Sequence, residues 1–159
     1  MNVTEIVIVN SYIPIIDYIE PFPELRVFIF RRNSLTEIPK LSDISMTLLK
    51  LMLSRNNISK IDDQPVMANL EKIMLDYNFQ IEFPVLTNIS SSLMELSIEE
   101  NQYIKIEDLG NFPKTKAQKV GRNSLADFSD LSSICSPLEE FYLTSSTITS
   151  AHYVPKMVK

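Results

Sequence analysis

One spacing constrains this chain more than any other property. The stretch from Leu48 through Leu51, Leu53 and Asn56 to Ile58 has the form L-x-x-L-x-L-x-x-N-x-L, and the same frame is filled by Leu25, Phe28, Phe30, Asn33 and Leu35 and by Leu93, Leu96, Ile98, Asn101 and Tyr103. Leu70, Ile73, Leu75 and Asn78 fit as far as the last position, where Gln80 stands beside Ile81. Looser copies use Thr115, Gln118, Val120, Asn123 and Leu125, and, toward the two ends, Val3, Ile6, Ile8, Ser11 and Ile13, and Leu138, Phe141, Leu143, Ser146 and Ile148. The polar position therefore runs Ser11, Asn33, Asn56, Asn78, Asn101, Asn123, Ser146, in steps of 22, 23, 22, 23, 22 and 23 residues. A register held over the whole chain is the mark of a stacked-repeat protein, in which each unit contacts only its neighbours.

The units alternate in kind, so the larger period is 45 residues. After Asn33, Asn78 and Asn123 come Ile38-Pro39, Phe83-Pro84 and Phe128-Ser129; after Ser11, Asn56 and Asn101 come Ile16-Asp17, Ile61-Asp62 and Ile106-Glu107. Pro39 and Pro84 favour an extended or turning path over a helix in the return segment. Within each frame the apolar residues at the fourth and sixth positions alternate with variable ones at the third, fifth and seventh, the period of a short half-buried strand. Stacking the units lays these strands side by side as a parallel sheet with a spacing of ~4.8 Å.

Composition enters through what the turns lack. The chain has 159 residues and only two glycines, Gly110 and Gly121, against eleven asparagines. Two separated glycines exclude a Gly-rich phosphate loop and a dinucleotide fingerprint. The ladder Asn33, Asn56, Asn78, Asn101 and Asn123 offers an alternative: a buried amide both donates to and accepts from backbone groups, and so is expected to satisfy each turn without a positive-φ glycine. A net charge of −5 disfavours nucleic acid as a partner. No apolar run is long enough for direct membrane insertion.

The repeat resembles the leucine-rich repeat family over essentially the entire chain. The resemblance implies an α/β-type solenoid: a right-handed coil with a parallel concave β-sheet and a mostly irregular, turn-rich convex side, one domain over 1–159 with frames starting at 3, 25, 48, 70, 93, 115 and 138. It further implies a non-catalytic protein–protein interaction module that binds a protein partner through the concave face. Two alternatives accompany that reading: a regulatory or scaffold subunit of an intracellular enzyme such as a phosphatase, and part of an extracellular receptor ectodomain. The longer unit resembles repeats of ectodomains and the shorter one the intracellular class, so both a cytoplasmic and an extracellular location stay open.

Residues that usually carry chemistry are few. Cys135 and His152 are the sole cysteine and histidine. Cys135 occupies the turn position of Ser45 and Ser90, and His152 lies in the unrepeated tail. The acidic pairs Asp62-Asp63, Glu99-Glu100 and Glu139-Glu140 define no rigid pocket, and neither metal-ligand spacing nor a cofactor motif is present. Asn2, Asn57 and Asn88 begin N-x-S/T sequons; Asn57 and Asn88 would be glycosylation acceptors were the chain secreted.

Function is therefore expected from a surface. The fifth frame position runs Val7, Ile29, Met52, Met74, Ser97, Lys119, Tyr142: an exposed apolar stripe in the N-terminal half that turns polar. Arg26, Arg31, Arg32, Lys50 and Arg55 gather beside it, Asp76, Glu95, Glu99 and Glu100 form an acidic strip, and Lys116, Lys119 and Arg122 follow. A protein partner is expected across the second to fourth strands, on Ile29, Met52 and Met74 as apolar anchors and Arg31, Arg32, Arg55 and Tyr77 as polar or aromatic ones. Neither end carries a polar cap or a cysteine-rich flank, which reads as a piece of a longer array, with end-to-end self-association as the alternative.

Overall fold

The computed structural model describes residues 2–61, 64–80, 91–103, 112–125, 127–128, 137–144 and 150–151. Seven three-residue strands line up in one parallel sheet: β1 (Glu5–Val7), β2 (Val27–Ile29), β3 (Lys50–Met52), β4 (Lys72–Met74), β5 (Glu95–Ser97), β6 (Ala117–Lys119) and, after the two-residue β7 (Asp127–Phe128), β8 (Glu140–Tyr142). Order in the sheet follows order in the chain, and the frame supplies the register without a slip. The central residues Ile6, Phe28, Leu51, Ile73, Leu96, Gln118 and Phe141 pair in succession. The chain is a solenoid in which each coil gives one strand to this sheet.

The hydrogen-bonding scheme repeats with the sequence. At each strand entry two successive N–H groups converge on one carbonyl of the preceding coil, as Arg26 and Val27 do on Thr4 O (2.8 and 3.1 Å) and Leu49 and Lys50 on Arg26 O (2.8 and 3.0 Å). At each exit one N–H reaches forward to the next coil: Arg32 to Ser54 O, Arg55 to Asp76 O, Tyr77 to Glu99 O.

Leu25, Leu48, Leu70 and Leu93, together with Phe28, Leu51, Ile73, Leu96, Phe30, Leu53, Leu75 and Ile98, are buried in one continuous core. Such side chains typically contribute about 1.5–3 kcal/mol each by burial. Phe28 and Phe30 both face inward, as residues two apart on a strand must, with ring centroids 6.0 Å apart. The looser sixth copy also turns its frame inward. Thr115 is buried, and its Oγ1 donates to Leu93 O at 2.9 Å, so a polar side chain fills a leucine position with its hydroxyl bonded.

Across the coil from the sheet, Glu37 and Lys60 form a parallel bridge, and β7 pairs with β9 (Ser150–Ala151). These stand four residues past Asn33, Asn56, Asn123 and Ser146, so the return segments carry a register of their own. No helix occurs among the described residues. Pro39 is buried and lies outside any helix or strand, while Pro84, Cys135 and His152 lie outside the described residues.

Candidate functional site

The sheet ends in a sharp turn that places a left-handed backbone residue in each of the first six coils. Asn10, Arg32, Arg55, Tyr77, Glu100 and Arg122, all at the eighth frame position, have φ between 53° and 61°. Tyr12 is left-handed too, at 55°. In keeping with the expectation, no glycine supplies the turn in these six coils; what the sequence did not indicate is that the residue just before each ladder position takes positive φ instead. For a residue with a Cβ this conformation costs roughly 1–2 kcal/mol.

The asparagines act beside that strain. Asn56 Oδ1 accepts from Leu35 N at 3.1 Å in the preceding coil, and its Nδ2 donates to Phe30 O at 2.8 Å and to Leu53 O at 2.9 Å. Asn78 accepts from Ile58 N and donates to Leu53 O and Leu75 O; Asn101 accepts from Gln80 N and donates to Leu75 O and Ile98 O. Asn123 accepts from Tyr103 N and donates to Ile98 O and Val120 O. Asn33 Oδ1 accepts from both Ser11 N and Ile13 N, and its Nδ2 donates to Ile8 O. Each amide ties its own coil to the one before, and all five are buried.

At the exposed sheet surface, the pairing places Val7, Ile29, Met52, Met74, Ser97, Lys119 and Tyr142 in one row across the strands. Val7 is exposed, but Ile29, Met52 and Met74 are half-buried by their neighbours, so the stripe is flatter and less open than the sequence suggested. Arg31, Arg32 and Arg55 are exposed beside it. Tyr77, 40% exposed, lies under Arg55, whose Cζ sits 4.1 Å from the ring centroid. The two are one stacked unit, a contact that sequence alone did not suggest although they stand 22 residues apart in the same column. Phe79, two residues further along the chain, is also exposed.

The acidic strip is corrected as well. Asp76 is buried: its Oδ1 accepts from Ser97 Oγ at 2.5 Å and Glu99 N at 2.9 Å, and its Oδ2 from Ser54 Oγ at 3.3 Å. Serines on both neighbouring coils hold this carboxylate down, which removes it from the exposed surface. Glu95 pairs with Lys72 at 2.6 Å and lies 4.0 Å from Lys119, while Glu100 pairs with Arg122 at 2.5 Å. The hydrogen bond from Arg122 to Glu100 and the charge of Glu100 push the guanidinium above its already high range. Lys116 pairs with Glu139 at 3.0 Å. Every ion pair among the described residues therefore lies from β4 onward. Arg31, Arg32, Lys50 and Arg55 have no carboxylate partner among them.

Away from this face, Tyr103 and Gln80 meet in the core, the Tyr103 hydroxyl donating to Gln80 Oε1. Burial drives the phenol well above its ordinary range. Among the described residues no group of three His, Cys, Asp or Glu side chains is placed to hold a metal, and no helix is long and apolar enough to cross a membrane. Asn57 is exposed; Asn88 lies outside the described residues.

No protein-family model matches the chain, and no curated protein sequence does. Solved structures do. An internalin (inlF) from Listeria monocytogenes superposes with a TM-score of 0.67 over 81% of this chain at 19% identity. Internalin C2 (inlC2) from the same organism superposes with a TM-score of 0.61 over 94% at 21% identity. The chain spans 38% of the first structure and 74% of the second. With a sequence frame, a parallel one-strand-per-coil sheet, an asparagine ladder and these two superpositions in agreement, the fold is the leucine-rich-repeat solenoid.

Proposed function

We propose that the chain is a protein-interaction module that docks a protein partner across β2 to β4 on its sheet face. The observation that carries this reading is the row Ile29, Met52, Met74: adjacent, half-buried apolar side chains with the Arg55–Tyr77 stack beside them. A contiguous apolar strip rimmed by arginine and tyrosine has the make-up of an interface centre, and methionine adapts to varied partners. The left-handed turns add a reason. Arg32, Arg55 and Tyr77 project from backbone held by the hydrogen bonds of Arg32 N to Ser54 O, Arg55 N to Asp76 O and Tyr77 N to Glu99 O. Their main chain is thus ordered before a partner arrives, which lowers the entropy lost on binding.

Affinity capture followed by mass spectrometry, with Met52→Asp plus Arg55→Glu as the control bait, tests the reading. Partners held by the wild-type chain are expected to be lost from the variant. Full retention by a variant with an unchanged circular-dichroism spectrum would remove this face from the function.

A further inference from the structure

We infer that the partner offers this face a short acidic segment carrying apolar side chains. The inference rests on the docking reading above and adds the chemistry of the occupant. Its basis is the uneven distribution of compensated charge. From β4 onward the cations Lys72, Lys116, Lys119 and Arg122 each have a glutamate within ion-pair distance. On β2, β3 and their exits, Arg31, Arg32, Lys50 and Arg55 have no carboxylate partner among the described residues. The chain as a whole is anionic at −5, so this is a local field of opposite sign.

The positions of these cations frame the stripe. Lys50 stands two residues before Met52, while Arg31 lies two residues beyond Ile29 and Arg32 and Arg55 three beyond Ile29 and Met52. The apolar row thus runs between a cation on one side and three on the other. Stacking on Tyr77 restrains Arg55 without neutralising it, leaving a positioned fork suited to a carboxylate. Asp76, at the exit of β4, is already engaged by Ser54, Ser97 and Glu99 N.

The same arrangement sets the length and class of the ligand. From β2 to β4 is about 10 Å at the usual strand spacing, the reach of about three extended residues. From β4 onward the cations Lys72, Lys119 and Arg122 already face Glu95 and Glu100, so a longer run of negative charge gains no further partner there. A nucleic acid would extend past that limit and would leave the methionines without apolar contacts. A short acidic stretch of protein with one or two apolar side chains satisfies both the stripe and its rim.

A phage-displayed library of short random peptides, panned against the wild-type chain, Met52→Asp and the double charge reversal Arg31→Glu plus Arg55→Glu, decides the matter. Circular dichroism verifies each bait's fold. The wild type is expected to enrich peptides in which Asp and Glu flank apolar residues. Synthetic versions of those peptides should bind about tenfold or more weakly to the double reversal, and progressively more weakly as salt is raised. Enrichment of peptides without excess acid, abolished by Met52→Asp, would leave the docking face standing and overturn the acidic assignment. The same enriched sequences on wild type and Met52→Asp would overturn the docking face itself. Absence of enrichment on the wild type would overturn the acidic assignment.

Discussion

Asn56→Ala isolates one rung of the ladder, and its cost follows from three hydrogen bonds. Truncation removes the acceptor of Leu35 N and the donor to Phe30 O and Leu53 O. These losses are unequal. Leu53 O also accepts from Asn78 Nδ2 at 3.2 Å, so it keeps a partner. Leu35 N and Phe30 O lose theirs inside a core where both residues are almost wholly buried. Two stranded backbone groups at about 1–1.5 kcal/mol each give an expected loss of about 2–3 kcal/mol. For a chain of this size that is a fall in melting temperature of roughly 5–10 °C. Urea unfolding at fixed m-value measures it, with the exposed neighbour Asn57→Ala as control, expected within about 0.5 kcal/mol of wild type. Asn56→Ser should lose less than Asn56→Ala, because a hydroxyl retains part of the exchange. Amide exchange at Leu35 provides a site-specific check: protection there is expected to drop before global unfolding. A loss below about 0.5 kcal/mol with Leu35 still protected would refute the claim that the side-chain amide ties the coils together.

Three other perturbations test the remaining geometry. Arg32→Gly, at φ 53°, is expected to be neutral or stabilising by up to about 1 kcal/mol, whereas Arg32→Ile should destabilise by more than that; equal effects would deny a strained turn. Gly121→Ala places a Cβ 2.9 Å from Thr144 N and 3.0 Å from Thr144 O, backbone atoms that cannot swing aside, so thermal melts should show a loss of about 1–3 kcal/mol. Tyr103 has a phenol pKa raised by burial, so its neutral form stabilises the fold fully below the unfolded value of about 10. That contribution is lost as pH rises above it. Tyr103→Phe should therefore flatten the alkaline decline in stability; an unchanged slope between pH ~9 and ~12 would show that the group ionises freely.

The Asn56 prediction was legible in the residue pattern, as was much of the architecture. A residue that returns every 22 or 23 positions between inward-facing leucines can be satisfied in only one place, the turn after each strand. The same spacing put Met52 beside Met74 and Ile29, since strands stacked in register bring equal frame positions together. The sequence could also suggest that Thr115 replaces a leucine, but not that its hydroxyl finds Leu93 O and so remains harmless inside.

Other features depended on atoms brought together only by stacking. Asp76 looked like a surface acid because its own frame position is variable; Ser54 and Ser97, one on each neighbouring coil, turn it into a buried acceptor. Arg55 and Tyr77 looked like independent anchors and are one stacked pair. The left-handed turn was invisible for a related reason. A chain usually marks such a conformation with glycine because an isolated turn must reduce its own strain. Here the forward hydrogen bonds of Arg32, Arg55, Tyr77, Glu100 and Arg122 to the next coil offset the strain, so arginine, tyrosine and glutamate can stand there. Periodicity along the chain thus determined the coil, its register and its inward face. Contacts between coils determined which polar groups are buried, which charges are neutralised and which arginines have no carboxylate partner among the described residues of the sheet face.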